Sequence, residues 1–219
     1  MRAFISIVFL LIGTSLIAQQ KVMRTIQSDA TDIYISIEGI DNLKIQESED
    51  NNIKMTLLDM NELGVIESFS CEDKSCVLKV RAVIKQTHAI NDKIHQFPLA
   101  PPSNVTAIVK IPKHKKVTIE GAMVDIQSKG YEGVLKVSVD KGNIEIQKIK
   151  GEVLLDVFSG VIHAKVSKET ALDVQTRKGR IILDKKRMKS PYKKNEKGKK
   201  KLVVRSINAN VVLTSKKTT

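Results

Sequence analysis

Few residues in this 219-residue chain are placed to do chemistry. Two cysteines, Cys71 and Cys76, enclose Glu72, Asp73, Lys74 and Ser75. The apolar runs on either side, 65–70 and 77–84, read as strands, and a short polar link between two such runs reads as a hairpin. The thiols then lie close enough to bond in an oxidising compartment. Zinc would need a second cysteine pair, and a redox couple would carry the Cys-x-x-Cys spacing; the sequence has neither. A disulfide stapling the hairpin is expected, with two free thiols as the alternative.

The histidines are His88, His95, His114 and His163. On a helix, His88, Asp92 and His95 would share a face as metal ligands. Their segment, 85–103, carries Pro98, Pro101 and Pro102, so it reads as a solvated connector and no metal site is assigned. Alternation around Ile162 and Ala164 points His163 outward, and none of the four has a Ser or Cys nucleophile beside it. Asp125, Asp140, Asp156 and Asp173 are separated by 15, 16 and 17 residues, which gives them no common step toward one substrate. They read as surface carboxylates. No catalytic constellation and no cofactor motif emerges, and a glycan-active enzyme is the weakest functional reading.

The dense chemistry is cationic. Lys185, Lys186, Arg187, Lys189, Lys193, Lys194, Lys197, Lys199, Lys200 and Lys201 are opposed only by Asp184 and Glu196. Ser190-Pro191 and Gly198 mark the stretch as an exposed, mobile loop. Such a cluster attracts polyanions, among them acidic glycans and lipopolysaccharide, through a field that salt screens. With Tyr192 the only ring in the run, specific nucleic-acid binding is not expected. A plain alternative is that the lysines keep a sheet edge soluble and unpaired. The charge is lopsided beyond this stretch: residues 19–100 hold 9 Lys and Arg against 13 Asp and Glu, and 101–219 hold 27 against 11.

The elements that must position these residues follow a nine-residue rhythm. Val117, Ile126, Leu135, Ile144, Val153 and Ile162 are spaced by nine. After one extra residue come Leu172 and Ile181, and after the basic insertion Leu202 and Val211. Around each position aliphatics alternate with other residues, as in Leu135, Val137 and Val139, so each segment reads as a short strand with one buried face. Gly133, Gly142, Gly151, Gly160 and Gly179 each stand two residues ahead of such a position, where a positive φ is expected to make a tight corner. The neighbours Lys141, Lys178 and Arg180 disfavour calcium at those corners.

Two all-β architectures fit. Paired units would give a parallel β-solenoid-like stack of about 18 residues per coil. Unpaired units would give an antiparallel meander or sandwich. The corners lack Asn-Gly or Asp-Gly hairpin pairs, and Ile126, Ile144, Ile162 and then Ile181 would lie over one another, which favours the stack.

Ahead of the repeats, residues 1–18 pair a positive start at Arg2 with an apolar run and Ala18 before Gln19, the pattern of a cleaved signal peptide. No membrane span is expected in the mature chain. The division read is 1–18 signal peptide, 19–100 acidic β region with the Cys hairpin, continuous with the stack, and 101–219 basic repeat region. Localisation is expected to be periplasmic or at the cell surface.

The segments 153–162 and 172–181, VLLDVFSGVI and LDVQTRKGRI, resemble the strand–Gly–Ile repeat of the DUF4097 family and the related auto-transporter adhesin head domain family, DUF2807. Residues 43–55 resemble that family's opening strands, so the resemblance covers about 32–214. It implies an exported, adhesin-like β-repeat protein with no catalytic residues. The Cys hairpin and the basic insertion depart from the pattern. The reading is therefore a non-catalytic adhesin-like or scaffold protein, whose candidate partners are a polyanionic surface glycan or another cell-envelope protein.

Overall fold

A computed structural model describes residues 20–59, 64–83, 105–195 and 198–215; they hold seventeen strands and no helix. The signal segment, Lys197, and the connector with His88 and His95 lie outside them. The strands are β1 Gln20–Gln27, β2 Asp32–Glu38, β3 Asn42–Glu47, β4 Asn52–Asp59, β5 Gly64–Glu72, β6 Ser75–Val83, β7 Thr106–Ile111, β8 Lys116–Met123 and β9 Asp125–Ser128. They continue as β10 Val134–Ile146, β11 Glu152–Val166, β12 Ala171–Thr176, β13 Ile181–Leu183, β14 Lys186–Met188, β15 Tyr192–Lys194, β16 Lys201–Ser206 and β17 Asn210–Ser215.

Pairing arranges them as two ladders within one open, mixed sheet. The first runs β5, β6, β2, β8, the leading part of β10, the leading part of β11, β16, β12, β15. The second runs β1, β4, β7, β3, β9, the trailing parts of β10 and β11, β17, β13, β14. Interior neighbours are parallel, and the outermost pairings at both ends are antiparallel. We call the two ladder members supplied by one stretch of chain a rung.

The nine-residue rhythm appears as register. Leu135 lies beside Val117 and Val153, and Ile144 beside Ile126 and Ile162, each a parallel step of eighteen residues. These side chains are buried, as are Val137, Val139, Leu155 and Val157. Each buried aliphatic contributes roughly 1.5–3 kcal/mol. Two or three per strand offset much of the ordering entropy of so thin an element.

Two expectations change. Ile181 does not follow Ile162. Residues 201–215 lie between the rung of β11 and the rung of β12 and β13, so Ile162 pairs with Val211 and Val211 with Ile181. On the other ladder, Leu202 likewise separates Val153 from Leu172. The repeat glycines also have a different cause. Of the five, only Gly160 has a positive φ, 139°. A Cβ on Gly142 would stand 2.0 Å from the Val124 carbonyl oxygen, and one on Gly160 would stand 1.9 Å from that of Gly142. The chain needs glycine there because the next rung's backbone occupies the space of a side chain.

The extra residue near Thr170 builds a turn in which the Thr170 N–H donates to the Ser167 carbonyl at 3.1 Å, and the Ser167 N–H to the Thr170 hydroxyl at 3.1 Å. Among the described residues the buried core holds one ring, Tyr131. It accepts a hydrogen bond from the Lys115 N–H at 3.1 Å and donates to the Pro112 carbonyl at 2.8 Å.

Candidate functional site

The basic insertion folds into the antiparallel end of both ladders. Asp184 and Lys185, with φ of 46° and 68°, form a two-residue link that turns β13 back into β14, so Leu183 pairs with Lys186. Positive φ at both central residues matches the twist of a tight hairpin. The Asp184 carboxylate accepts the Ser215 N–H at 2.7 Å and the Ser215 hydroxyl. Those bonds hold it below the usual carboxylate range. Beyond β14 the Ser190 hydroxyl accepts the Thr176 N–H at 3.0 Å and donates to the Thr176 carbonyl at 2.7 Å. The chain then crosses to the first ladder, where β15 pairs with β12. Met188 and Tyr192 pack against the core. Where the sequence reads as a mobile loop, the chain thus forms two short strands, β14 and β15, fixed by side-chain packing and hydroxyl bonds.

On this frame Lys185, Lys186, Arg187, Lys189, Lys193, Lys194, Lys199 and Lys201 are exposed, and Lys200 is half-buried. Among the described residues of the cluster, only Lys201 makes an ion pair, to Glu152 at 3.2 Å. Asp173, which pairs with Lys193 across β12 and β15, is taken by Arg205 at 2.7 Å. The Arg205 hydrogen bond lowers the Asp173 carboxyl, with smaller help from Lys193 and Lys201. The field of the end is therefore positive and little compensated.

Sequence spacing missed three more cations of this surface. Arg177, Lys178 and Arg180 are exposed on the corner between β12 and β13, the rung beneath β14 and β15, whose basic stretch we call the cap. The Ser190–Thr176 bonds bring Lys189 to that corner. The signal was available: these residues flank Gly179 in phase with the repeat, and Arg180 stands only five residues before Lys185.

The other chemistry lies elsewhere. Cys71 and Cys76 face each other across β5 and β6 and form a disulfide, at the opposite end of the first ladder from the cap. Asp125 accepts the Asn143 N–H at 2.7 Å and the Asn143 amide at 3.2 Å, a structural role on the next rung. Asp140 and Asp156 are exposed on the first ladder, so the four aspartates do not converge. Among the described residues no three His, Cys, Asp or Glu side chains are grouped to hold a metal. His163 faces outward, in a shallow groove of about 320 Å³ with Asn42, Gln127 and Glu145. A second groove, about 260 Å³, lies between the cap's corner and Phe158.

No family model matches the chain, and no curated protein does. Among solved structures, the "putative cell adhesion protein" of Clostridium sporogenes is similar over 90% of this chain and 100% of its own, with a TM-score of 0.59 and 12% identity. The "putative adhesin" of Bacteroides fragilis covers 91% of this chain and 98% of its own, with a TM-score of 0.32 and 10% identity. The first is a likeness of fold, and the second is too loose to carry an argument.

Proposed function

We propose that this chain is an exported, non-catalytic, adhesin-like or scaffold protein that holds polyanions on its cationic cap. The frame is read as a β-solenoid-like stack of about 18 residues per coil. The parallel register from β8 through β11 supports that reading, and the pairings of β2 with β8 and of β3 with β9 support continuity between 19–100 and 101–219. The disulfide and the signal-like residues 1–18 support passage to the periplasm or cell surface. One observation carries the binding role: Lys186, Arg187, Lys193, Lys194 and Lys201 stand exposed on strands and Lys185, Lys189 and Lys199 on the links beside them, with one ion pair among those described. Preorganised, uncompensated charge attracts an anionic polymer and loses little entropy on contact.

The test is retention of the mature chain on immobilised heparin and on lipopolysaccharide across a salt gradient. Retention should fall steeply as the screening length shrinks from about 10 Å at 0.1 M to about 3 Å at 1 M. Joint replacement Lys193→Ser, Lys194→Ser, Lys199→Ser and Lys200→Ser should lower affinity at least tenfold with an unchanged unfolding midpoint. Undiminished binding would remove the cap from the proposal.

A further inference from the structure

Beside the cap, the outer face of the first ladder carries two columns of side chains. Register places Asp156, Arg205 and Gln175 on successive strands. Two residues further on, Phe158, Ile207 and Arg177 form the second column. The Asn208 N–H donates to the Phe158 carbonyl at 2.8 Å, and the Lys178 N–H to the Ile207 carbonyl at 2.8 Å, which keeps the three in step. All six line the groove of about 260 Å³. Phe158 is 51% exposed, an unusual placement for a ring in a chain that is only 4% aromatic. Arg205 is committed to Asp173 by bonds of 2.7 and 3.1 Å and forms a fixed wall. Arg177 is exposed and makes no ion pair among the described residues.

We infer that this groove binds an anionic sugar unit, a uronate or sulfated pyranose, within a longer acidic glycan. The inference rests on the polyanion reading of the cap and names its ligand. The ring of Phe158 beside Ile207 offers an apolar shelf for the C–H face of a pyranose. Asp156 and Gln175 accept and donate hydrogen bonds to its hydroxyls. Arg177 lies two interstrand steps from Phe158, roughly 10 Å, within side-chain reach of an acidic substituent on that sugar. A bare polyphosphate gains nothing from the shelf and offers no hydroxyls to Asp156 and Gln175. A single-stranded nucleic acid would also stack on Phe158, but among the described residues no second ring lines the groove for a neighbouring base. The cap continues from Arg177 through Lys189, so a glycan held at one sugar runs on over lysines.

The experiment measures binding of the mature chain to oligogalacturonate, polyphosphate, neutral dextran and oligothymidylate, with Phe158→Ser, Phe158→Tyr and Arg177→Gln compared to the parent. Phe158→Ser should weaken oligogalacturonate about fivefold, the scale of one lost aromatic contact, and leave polyphosphate within twofold. Phe158→Tyr should retain parental affinity, Arg177→Gln should weaken the uronate, and dextran should bind weakest. If polyphosphate and uronate both bind and Phe158→Ser changes neither, the sugar site is wrong while the cap reading stands. If the parent binds no polyanion at low salt, the cap reading fails and takes this one with it. If oligothymidylate outcompetes the uronate and is the ligand that Phe158→Ser weakens, the groove serves nucleic acid and the inference is overturned.

Discussion

Replacing Gly142 by alanine tests the close approach of adjacent rungs without changing any polar group. The added Cβ would lie 2.0 Å from the Val124 carbonyl oxygen and 2.9 Å from its carbon, where ordinary contact begins at 3.4 Å. The missing distance, about 1.4 Å, cannot come from a rotamer, because the obstacle is backbone. Nor does φ confuse the result, since Gly142 is not among the positive-φ residues. Relief requires the 124–125 corner to part from 141–143. That movement strains the bond from the Val124 N–H to the Lys141 carbonyl (3.1 Å) and the bond from the Asn143 N–H to Asp125 (2.7 Å). Overpacking costs about 1–3 kcal/mol and each weakened bond about 1 kcal/mol. Alanine recovers about 0.4–1 kcal/mol by restricting the unfolded chain. The expected net loss is about 3 kcal/mol, a urea midpoint shift of about 1.5 M at a slope of about 2 kcal/mol/M. Gly121→Ala is the internal control: its nearest obstacles, the Val124 Cγ1 at 3.2 Å and the Ile37 carbonyl oxygen at 3.3 Å, lie only slightly inside ordinary contact. That variant should stay within about 1 kcal/mol of the parent. Equal midpoints for the two variants in urea titrations followed by circular dichroism would refute the steric account of the glycine spacing.

Three further outcomes are expected. Cys71→Ser with Cys76→Ser opens a loop of sequence separation 5, and loop entropy puts the loss at about 2 kcal/mol; a reductant should destabilise the parent by as much and leave the double variant unmoved. Tyr131→Phe leaves the Pro112 carbonyl and the Lys115 N–H without the bonds they make to the phenol, so thermal or urea unfolding should show a loss of about 1–2 kcal/mol. Acid should destabilise the fold through carboxylates that folding holds low, Asp173 and Glu47 among them. The Arg205 hydrogen bond lowers the Asp173 carboxyl, and at Glu47 burial acts upward but is outweighed by Lys150 and the Glu132 N–H. Because both folded values lie below the ordinary 3.8 and 4.5, their stabilisation is complete above those values and is lost as pH falls through the folded ones. Urea midpoints should hold from pH 8 to about pH 5 and then decline, and Asp173→Asn with Glu47→Gln should flatten the decline; an unchanged acid limb would contradict the assignment.

The strands and the step of eighteen were legible because Val117 through Ile162 repeat one aliphatic class at one spacing, and parallel neighbours need only that. The order of the later rungs was not legible for the same reason. Leu172 and Ile181 are as well suited to lie on Val153 and Ile162 as Leu202 and Val211 are, so periodicity cannot rank them. What separates the two arrangements is a few pins: Arg205 on Asp173, the Thr176 hydroxyl on the Ala209 carbonyl at 3.1 Å, and the fit of Gly179 against Ala209. Each joins residues thirty or more apart, and none has a local signature. The pairing of β2 with β8, which sets Ile33 beside Val117, was hidden similarly, since the first strands do not keep the nine-residue phase. For the site, the cations could be read from composition, but their mounting could not. The two-residue link at Asp184-Lys185 uses residues common in any polar loop, and the Ser190–Thr176 bonds depend on a rung order the sequence does not reveal.

The insertion of residues 201–215 between two earlier rungs bears on how the molecule comes together. A stack laid down in chain order could grow one rung at a time as the polypeptide emerges, each addition stable on its predecessor. Here β12 and β13 meet the rest of the ladders through β16 and β17, so the earlier segment must wait for the later one. Until residue 215 arrives, β11 keeps an unclosed edge and the cationic cap has no finished support. A chain cut short in the lysine stretch would therefore lose the whole cationic end rather than display a damaged version of it.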